Sequence, residues 1–166
     1  MTVAFVLSGG ANLGALQVGM LRALMEREVE PDFLVGTSVG ALNAGYIAGR
    51  GLRPDVVDDL GEIWRGLHTW QLFPPSPRRI VSVLRGHQAA LFGDQGLRLL
   101  TKRHLTLERI EDALIPLTVV ATDLLTGNEV DIRSGPAADA IIASSAIPGL
   151  LPAVEWDGRL LIDGGI

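Results

Sequence analysis

Twice within its first 48 residues the chain runs an apolar segment into a glycine turn and then into a helical pattern, and this recurrence restricts the fold more than any other feature. In the first unit Val3 to Leu7 is a continuous, partly β-branched run closed by Ser8-Gly9-Gly10, which reads as a buried strand. From Gly14 to Glu28 the residues Leu16, Met20, Leu21, Leu24 and Met25 recur at helical spacing, with Arg22, Glu26 and Arg27 on the other side. The second unit opens at Pro31-Asp32. Phe33-Leu34-Val35 forms its strand, Gly36-Thr37-Ser38-Val39-Gly40 its turn, and Ala41 to Ala48 a helix that Gly49 and Gly51 end. Two strands joined through one helix over so short a span make a βαβ unit, the building block of a parallel sheet with right-handed crossovers. The expected fold class is therefore α/β, layered.

The remainder fills out one domain, residues 1–166, whose hydrophobic content of 48% is enough for a single core without metal or disulfide support. A helix is predicted from Pro54 to Gly66, then a proline-rich stretch at Pro74, Pro75 and Pro77, then helical segments at Ile80 to Arg85 and Asp94 to Lys102. This middle part reads as an insertion over the sheet. Leu117 to Thr122 and Glu129 to Ile132 are strands across the turn Leu125 to Asn128, and Pro136 to Ser144 is helical. Val154 to Trp156 and Arg159 to Ile162 flank Asp157-Gly158, a hairpin signal, and deliver Asp163-Gly164-Gly165.

A net charge of −5 lacks the electrostatic footprint of a nucleic-acid binder, so no nucleic-acid partner is expected. The absence of cysteine rules out thiol catalysis and zinc–thiolate sites. Val3 to Leu7 is far shorter than the roughly 20 residues of a membrane span, and no Lys or Arg precedes it, so a cytoplasmic location is expected. A mean hydropathy of +0.33 leaves room for an apolar surface that contacts lipid peripherally. Arg78, Arg79, Arg85 and His87, flanked by Phe73 and Phe92, read either as a solvated basic stretch or as a contact for anionic headgroups.

Gly36-Thr37-Ser38-Val39-Gly40 matches G-x-S-x-G in the setting that gives the motif meaning, with an apolar strand before it and a helix after. A serine on so sharp a turn projects its hydroxyl from the sheet edge, and small neighbours leave it accessible. The competing reading is a serine that only caps the helix. A hydroxyl is a weak nucleophile until a base takes its proton. His68, His87 and His104 all lie in or beside the middle insertion, and none follows Asp163, which argues against an ordinary Ser-His-acid triad. Asp163, held at a strand end before two glycines, is the candidate base; the alternative is a turn aspartate bonding its own backbone. An aspartate is a weak base, so the reading implies a desolvated site or proton transfer concerted with attack.

The turn Gly9-Gly10-Ala11-Asn12-Leu13-Gly14 does not fit a phosphate loop, because Ala15-Leu16 follows where Lys and Ser or Thr would be required. It fits an oxyanion hole, in which consecutive glycines let backbone N–H groups converge on a charge formed in the transition state; a tight turn without a ligand is the alternative.

Leu7-Ser8-Gly9-Gly10 with Gly14, then Gly36 to Gly40, then Asp163-Gly164-Gly165 resemble, in that order, the motif set of the patatin-like phospholipase family in its bacterial form. Ala121-Thr122-Asp123 with Thr126-Gly127, and Ala143-Ser144-Ser145-Ala146-Ile147-Pro148, also resemble it. The resemblance implies a three-layer α/β/α fold with a mostly parallel central sheet and hydrolysis of ester bonds in lipids or phospholipids, without metal or cofactor. Its motifs place Ser38 as nucleophile, Asp163 as base, Gly9 and Gly10 as oxyanion donors, and Gly14, Gly36, Gly40, Gly164 and Gly165 as motif glycines. The sequence departs from the family pattern at Ala11, where many members carry a third glycine, and at Leu13, where they carry Arg or Lys. It also stops three residues after Asp163. Two further functions stay open: a catalytically silent lipid-binding or interaction domain, which Leu13 favours, and an esterase of small soluble esters. Residues 67–93, with Trp70, Leu72, Phe73, Leu91 and Phe92 beside prolines, read either as a lid over the site or as ordinary packing.

Overall fold

A computed structural model describes residues 2–74, 76–87 and 89–166; Pro75 of the proline-rich stretch lies outside them. The strands are β1 (Ala4–Leu7), β2 (Phe33–Thr37), β3 (Leu117–Asp123), β4 (Glu129–Ile132), β5 (Val154–Trp156) and β6 (Arg159–Asp163). The helices are α1 (Gly14–Met25), α2 (Val39–Ala48), α3 (Pro54–Gly66), α4 (Thr69–Leu72), α5 (Pro77–Leu84), α6 (Gln95–His104) and α7 (Ala137–Ser144). The six strands form one sheet in the order β1-β2-β3-β6-β5, with β4 also on β3. β1, β2 and β3 are parallel neighbours, β6 and β4 run antiparallel to β3, and β5 is antiparallel to β6. Four of the six strands thus point one way, in agreement with the α/β expectation.

Because β1, β2 and β3 are laid side by side in chain order, two right-handed crossovers carry their connecting helices to the same side of the sheet. α2 packs on all three strands, α7 on β3, β5 and β6, and α1 on α2 and α3. The register places Phe5, Leu34 and Leu117 in one row and Leu7, Gly36 and Val119 in the next. These rows, with Ala121 and Leu161, meet Ala41, Ala44, Ile47 and Ile141 in the core. Each large side chain there contributes about 1.5–3 kcal/mol by leaving water. The small residues of α2 allow its backbone to lie close over the strands, which brings its first turn against the end of β1. The opposite sheet face carries Val6, 70% exposed, with Phe33 and Leu160 at 37% and 40%. Of the three expected layers, the described residues supply the sheet and the helices of one face.

α1 begins at the predicted Gly14 but buries a different stripe from the one its apolar spacing selects. Gly14, Gln17, Val18 and Leu21 are buried, whereas Leu16 and Met20 are 66% and 58% exposed. The reason is steric: Gly14 is pressed against Val39 and Trp64, and this contact fixes the rotation of the helix. Gly19 lies mid-helix with open space where a Cβ would stand. Gly19→Ala is therefore expected to stabilise the protein by about 1 kcal/mol, read as a raised midpoint in urea unfolding. α4 escapes sequence reading because four residues are too few to show a period. Phe73 and Phe92, read as flanks of the basic stretch, pack against each other at 5.5 Å and against the core. No helix of the described residues is long and apolar enough to cross a membrane.

Candidate active site

Ser38 sits between the last residue of β2 and the first of α2 with φ 55° and ψ −126°. A left-handed φ is costly for a residue with a Cβ and persists only where its surroundings enforce it. Four glycines provide that enforcement. A Cβ on Gly40 would stand 2.0 Å from the carbonyl oxygen of Leu7, and one on Gly36 would stand 2.5 Å from Cα of Ala41. On Gly164 it would meet the Val120 carbonyl at 2.3 Å, and on Gly14 a Val39 methyl at 2.5 Å. Gly36, Gly40 and Gly164 are glycine because backbones touch there, and Gly14 because the Val39 and Trp64 side chains press against it. Gly165 is less constrained, its nearest neighbour being the Asp163 carboxylate at 3.1 Å.

The two residues singled out for catalysis meet across 125 positions of sequence. Ser38 Oγ donates to Asp163 Oδ2 at 2.6 Å, a length typical of a hydroxyl on a carboxylate, and the two residues are only 8% and 5% exposed. The hydroxyl makes no capping bond to α2, so the helix-cap reading of Ser38 falls. Asp163 Oδ1 accepts the turn bond from Gly165 N at 2.8 Å, as the turn reading expects, while Oδ2 faces Ser38. That division fixes the carboxylate plane.

Sequence reading missed what the Ala143 to Pro148 segment does. Ser144 Oγ accepts from Ser38 N at 2.8 Å and donates to the Val120 carbonyl at 2.5 Å. Ala146 O accepts from Asp163 N at 3.0 Å and Ser144 O from Gly164 N at 3.3 Å. One short strap, from the last residue of α7 onward, therefore bonds to both Ser38 and Asp163. It also missed an amide network beneath the glycine turn. Gln17 Nε2 donates to Ser8 O at 2.7 Å; Asn43 Nδ2 donates to Gly14 O at 3.0 Å and to Gln17 Oε1 at 2.8 Å; Trp64 Nε1 donates to Asn43 Oδ1 at 2.9 Å. Asn43 is fully buried, so the network anchors both ends of the Ser8 to Gly14 turn to α1, α2 and α3. A polar residue recurring inside an apolar helix, Gln17 in α1 and Asn43 in α2, was the available signal.

Gly9 lies against Ser38: a Cβ there would be 3.2 Å from Ser38 Cβ and 3.8 Å from its Oγ. Gly10 has φ 154°, and Ala11 has φ 49°, the left-handed conformation that explains a glycine at this position in the family pattern. Leu13 is 58% exposed, with its side chain beside Gly10. The Ser38 side chain opens into a cavity of about 440 Å³ lined by Ala15, Val39, Leu42, Trp64, Leu72, Phe73, Leu97, Leu100 and Ile147 among others. A larger cleft of about 670 Å³ is lined by Asp94, Arg98, Arg109 and Asp139, among others. Arg98 pairs there with both aspartates, and Ser38 is absent, so the smaller apolar cavity is the one tied to the Ser38–Asp163 pair. Among the described residues no cluster of His, Asp and Glu is suited to a metal.

The Ala121-Thr122-Asp123 segment serves the β3–β4 hairpin. Backbone N–H groups of Thr126 and Leu125 bond to Asp123 and hold its carboxyl below the usual carboxylate range. A carboxyl whose value falls on folding stabilises above the unfolded value and loses that contribution as pH drops. Thermal unfolding of Asp123→Ala should therefore lie furthest below wild type at neutral pH, the gap closing below about pH 4.

Fold and site together define an α/β protein with a serine on a strand–turn–helix elbow and an aspartate bonded to it. The sequence model of the patatin-like phospholipase family matches residues 5–166, and the chain belongs to that family. Similar proteins include an uncharacterized NTE family protein of Mycobacterium tuberculosis, 35% identical over 99% of this chain and 42% of its own length. A lysophospholipase of Mycosarcoma maydis is 29% identical over 99% of this chain and 8% of its own. The chain thus spans less than half the length of these relatives. Among solved structures, VipD of Legionella pneumophila matches 99% of this chain and 46% of its own with a TM-score of 0.67 and 17% identity, a likeness of fold.

Proposed function

We propose that this domain is a lipid acyl hydrolase, of phospholipase A or lysophospholipase type, that cleaves carboxylic esters through Ser38 and Asp163. The observation that carries the reading is the 2.6 Å bond from Ser38 Oγ to Asp163 Oδ2 at the wall of an apolar cavity. Family membership and the lysophospholipase relative support a lipid substrate. Ser38 Oγ attacks the ester carbonyl carbon as its proton passes to Asp163 Oδ2. The oxyanion faces the backbone N–H groups of Gly9 and Gly10 and the positive end of α2, which starts at Val39. Collapse of this intermediate expels the alcohol, which takes the proton from Asp163. Water then attacks the acyl-enzyme, Asp163 accepts its proton, and the fatty acid leaves as Ser38 is regenerated. The apolar wall suits an acyl chain, since each CH₂ it buries contributes about 0.8 kcal/mol.

Rates on p-nitrophenyl esters of increasing chain length, and on phospholipid vesicles, test the assignment: preference for long chains and for vesicles separates this reading from an esterase of small soluble esters. The exposed Leu13 favours the silent lipid binder; saturable lipid binding by a folded wild type that turns over no ester would establish it.

Within residues 67–93 we assign the cover of the cavity to Leu67, Thr69, Leu72 and Phe73, which line it. Leu72→Asp is expected to raise KM for long-chain esters about 10-fold, by placing a charge in the acyl path, with little change for acetate esters. Equal losses on both esters would remove the cover.

A further inference from the structure

Residues 63–93 form the longest stretch of this chain without aspartate or glutamate, in a protein that carries 19 such residues and a net charge of −5. The stretch contains Arg78, Arg79 and Arg85. Its helix α5 is turned so that Pro77, Val81 and Leu84, spaced one helical turn apart, run along the outer side. Leu84 is 82% exposed and Val81 44%. Arg78 and Arg85 are exposed beside that line, and among the described residues neither forms an ion pair. The inner side is tied down, with half-buried Arg79 donating from Nε to Ala90 O at 3.2 Å. In the preceding α4, Leu72 lines the Ser38 cavity while Trp70 is 65% exposed. One excursion of the chain therefore presents the cavity wall inward and aliphatic, indole and guanidinium groups outward.

We propose that the outer side of α5, with Trp70, is the surface by which this protein docks on an anionic lipid bilayer. The inference rests on the reading of the Ser38 cavity as an acyl-chain site. Charge decides the occupant. The apolar side chains enter the boundary between headgroups and acyl chains, the arginines meet lipid phosphates, and no carboxylate in the stretch opposes a negative surface. Docking by this surface sets the cavity wall beside the bilayer, so that a lipid reaches Ser38 without crossing water.

The test uses the Ser38→Ala protein, which binds without turnover, sedimented with vesicles of phosphatidylcholine alone or mixed with phosphatidylglycerol. Partition onto the anionic vesicles is expected to exceed that onto the neutral ones. It should fall about 30-fold in an Arg78→Gln, Arg85→Gln double variant, since each basic residue near such a surface contributes about five-fold. Leu84→Asp should weaken it further, whereas Arg133→Gln, a distant exposed site, should not. In the active protein these α5 substitutions should leave hydrolysis of a monomeric short-chain ester unchanged. Equal partition onto both vesicle types, or partition indifferent to the α5 substitutions, would overturn the proposal. A concentration-dependent dimer that Leu84→Asp dissociates, without vesicle binding, would overturn it in favour of a second copy. An active enzyme with indifferent vesicle binding refutes docking alone; a wild type inert on monomeric esters whose Ser38→Ala form still binds through α5 refutes the hydrolase reading alone.

Discussion

Ser38→Ala is expected to lower ester hydrolysis by on the order of 10⁴-fold or more while leaving the unfolding midpoint close to that of wild type. On the proposed mechanism the substitution removes the atom that attacks the carbonyl, and the other hydroxyls of the cavity wall, Thr69 and Ser145, have no carboxylate bonded to them among the described residues to take their proton. The chain has no cysteine, and the described cavity wall is otherwise built of apolar groups with Asn12, Thr69 and Ser145. Asp163→Asn is expected to match it within about 10-fold, because members of one proton-transfer unit fail together and not additively. The amide keeps the turn bond from Gly165 through one oxygen but presents an N–H₂ group to Ser38, which then has no acceptor for its proton. The measurement is kcat on a p-nitrophenyl ester matched to the cavity, with circular dichroism to confirm the fold. If Asp163→Asn retains wild-type kcat, Asp163 is a turn residue and the base lies elsewhere. If a folded wild type is inactive on every ester, the silent-binder reading takes over.

Gly40→Ala has the largest expected effect on stability. The added Cβ would lie 2.0 Å from the Leu7 carbonyl oxygen and 2.5 Å from its carbon, and both are backbone, so no side-chain rotation relieves the clash. Either β1 or the first turn of α2 must shift, although β1 is held in register by β2 and α2 packs on three strands. Overpacking usually costs about 1–3 kcal/mol, and a clash with fixed backbone belongs at or above the top of that range. A loss of about 3 kcal/mol is a large share of the 5–15 kcal/mol typical of a folded domain. Urea unfolding monitored by tryptophan fluorescence reads the shift. Gly40→Ala should also lower kcat in whatever protein folds, because Ser38 moves with the first turn of α2 away from Asp163 and Gly9. A midpoint within error of wild type would show that the β1–α2 approach is looser than its geometry indicates.

Much of this architecture was legible in the sequence because it is local. The strand–glycine–helix units at Val3 to Glu28 and Phe33 to Ala48, the span of α3, and the Asp157-Gly158 hairpin each depend on neighbours within a few residues. Apolar periodicity and turn chemistry register such neighbours directly. The ends of α1 and α7 shifted by a few residues at most, as fraying termini do. The face of α1 was not legible. Its apolar spacing favoured Leu16 and Met20, but helix rotation is set by the closest contact, here Gly14 against the Val39 and Trp64 side chains, and a contact between distant segments leaves no periodic trace.

The Ser38–Asp163 pair divides in the same way. The sequence by itself determined that Ser38 stands on a strand–helix turn ringed by glycines, that Asp163 ends a strand, and that no histidine follows it; these follow from residue types and their order. Only the tertiary structure decided that the two groups meet. Ser38 rides on β2 and α2, Asp163 on β6, and their 2.6 Å contact exists because β2 and β6 pair with successive residues of β3, Thr37 with Val120 and Asp163 with Ala121, with the strap through Ser144 and Ala146 bonding to both. Gln17, Asn43 and Trp64 come together for the same reason, as three helices converge under one glycine turn. A hydrogen bond needs partners placed to within a few tenths of an ångström, and the order of residues along a chain carries no such distance until packing supplies it.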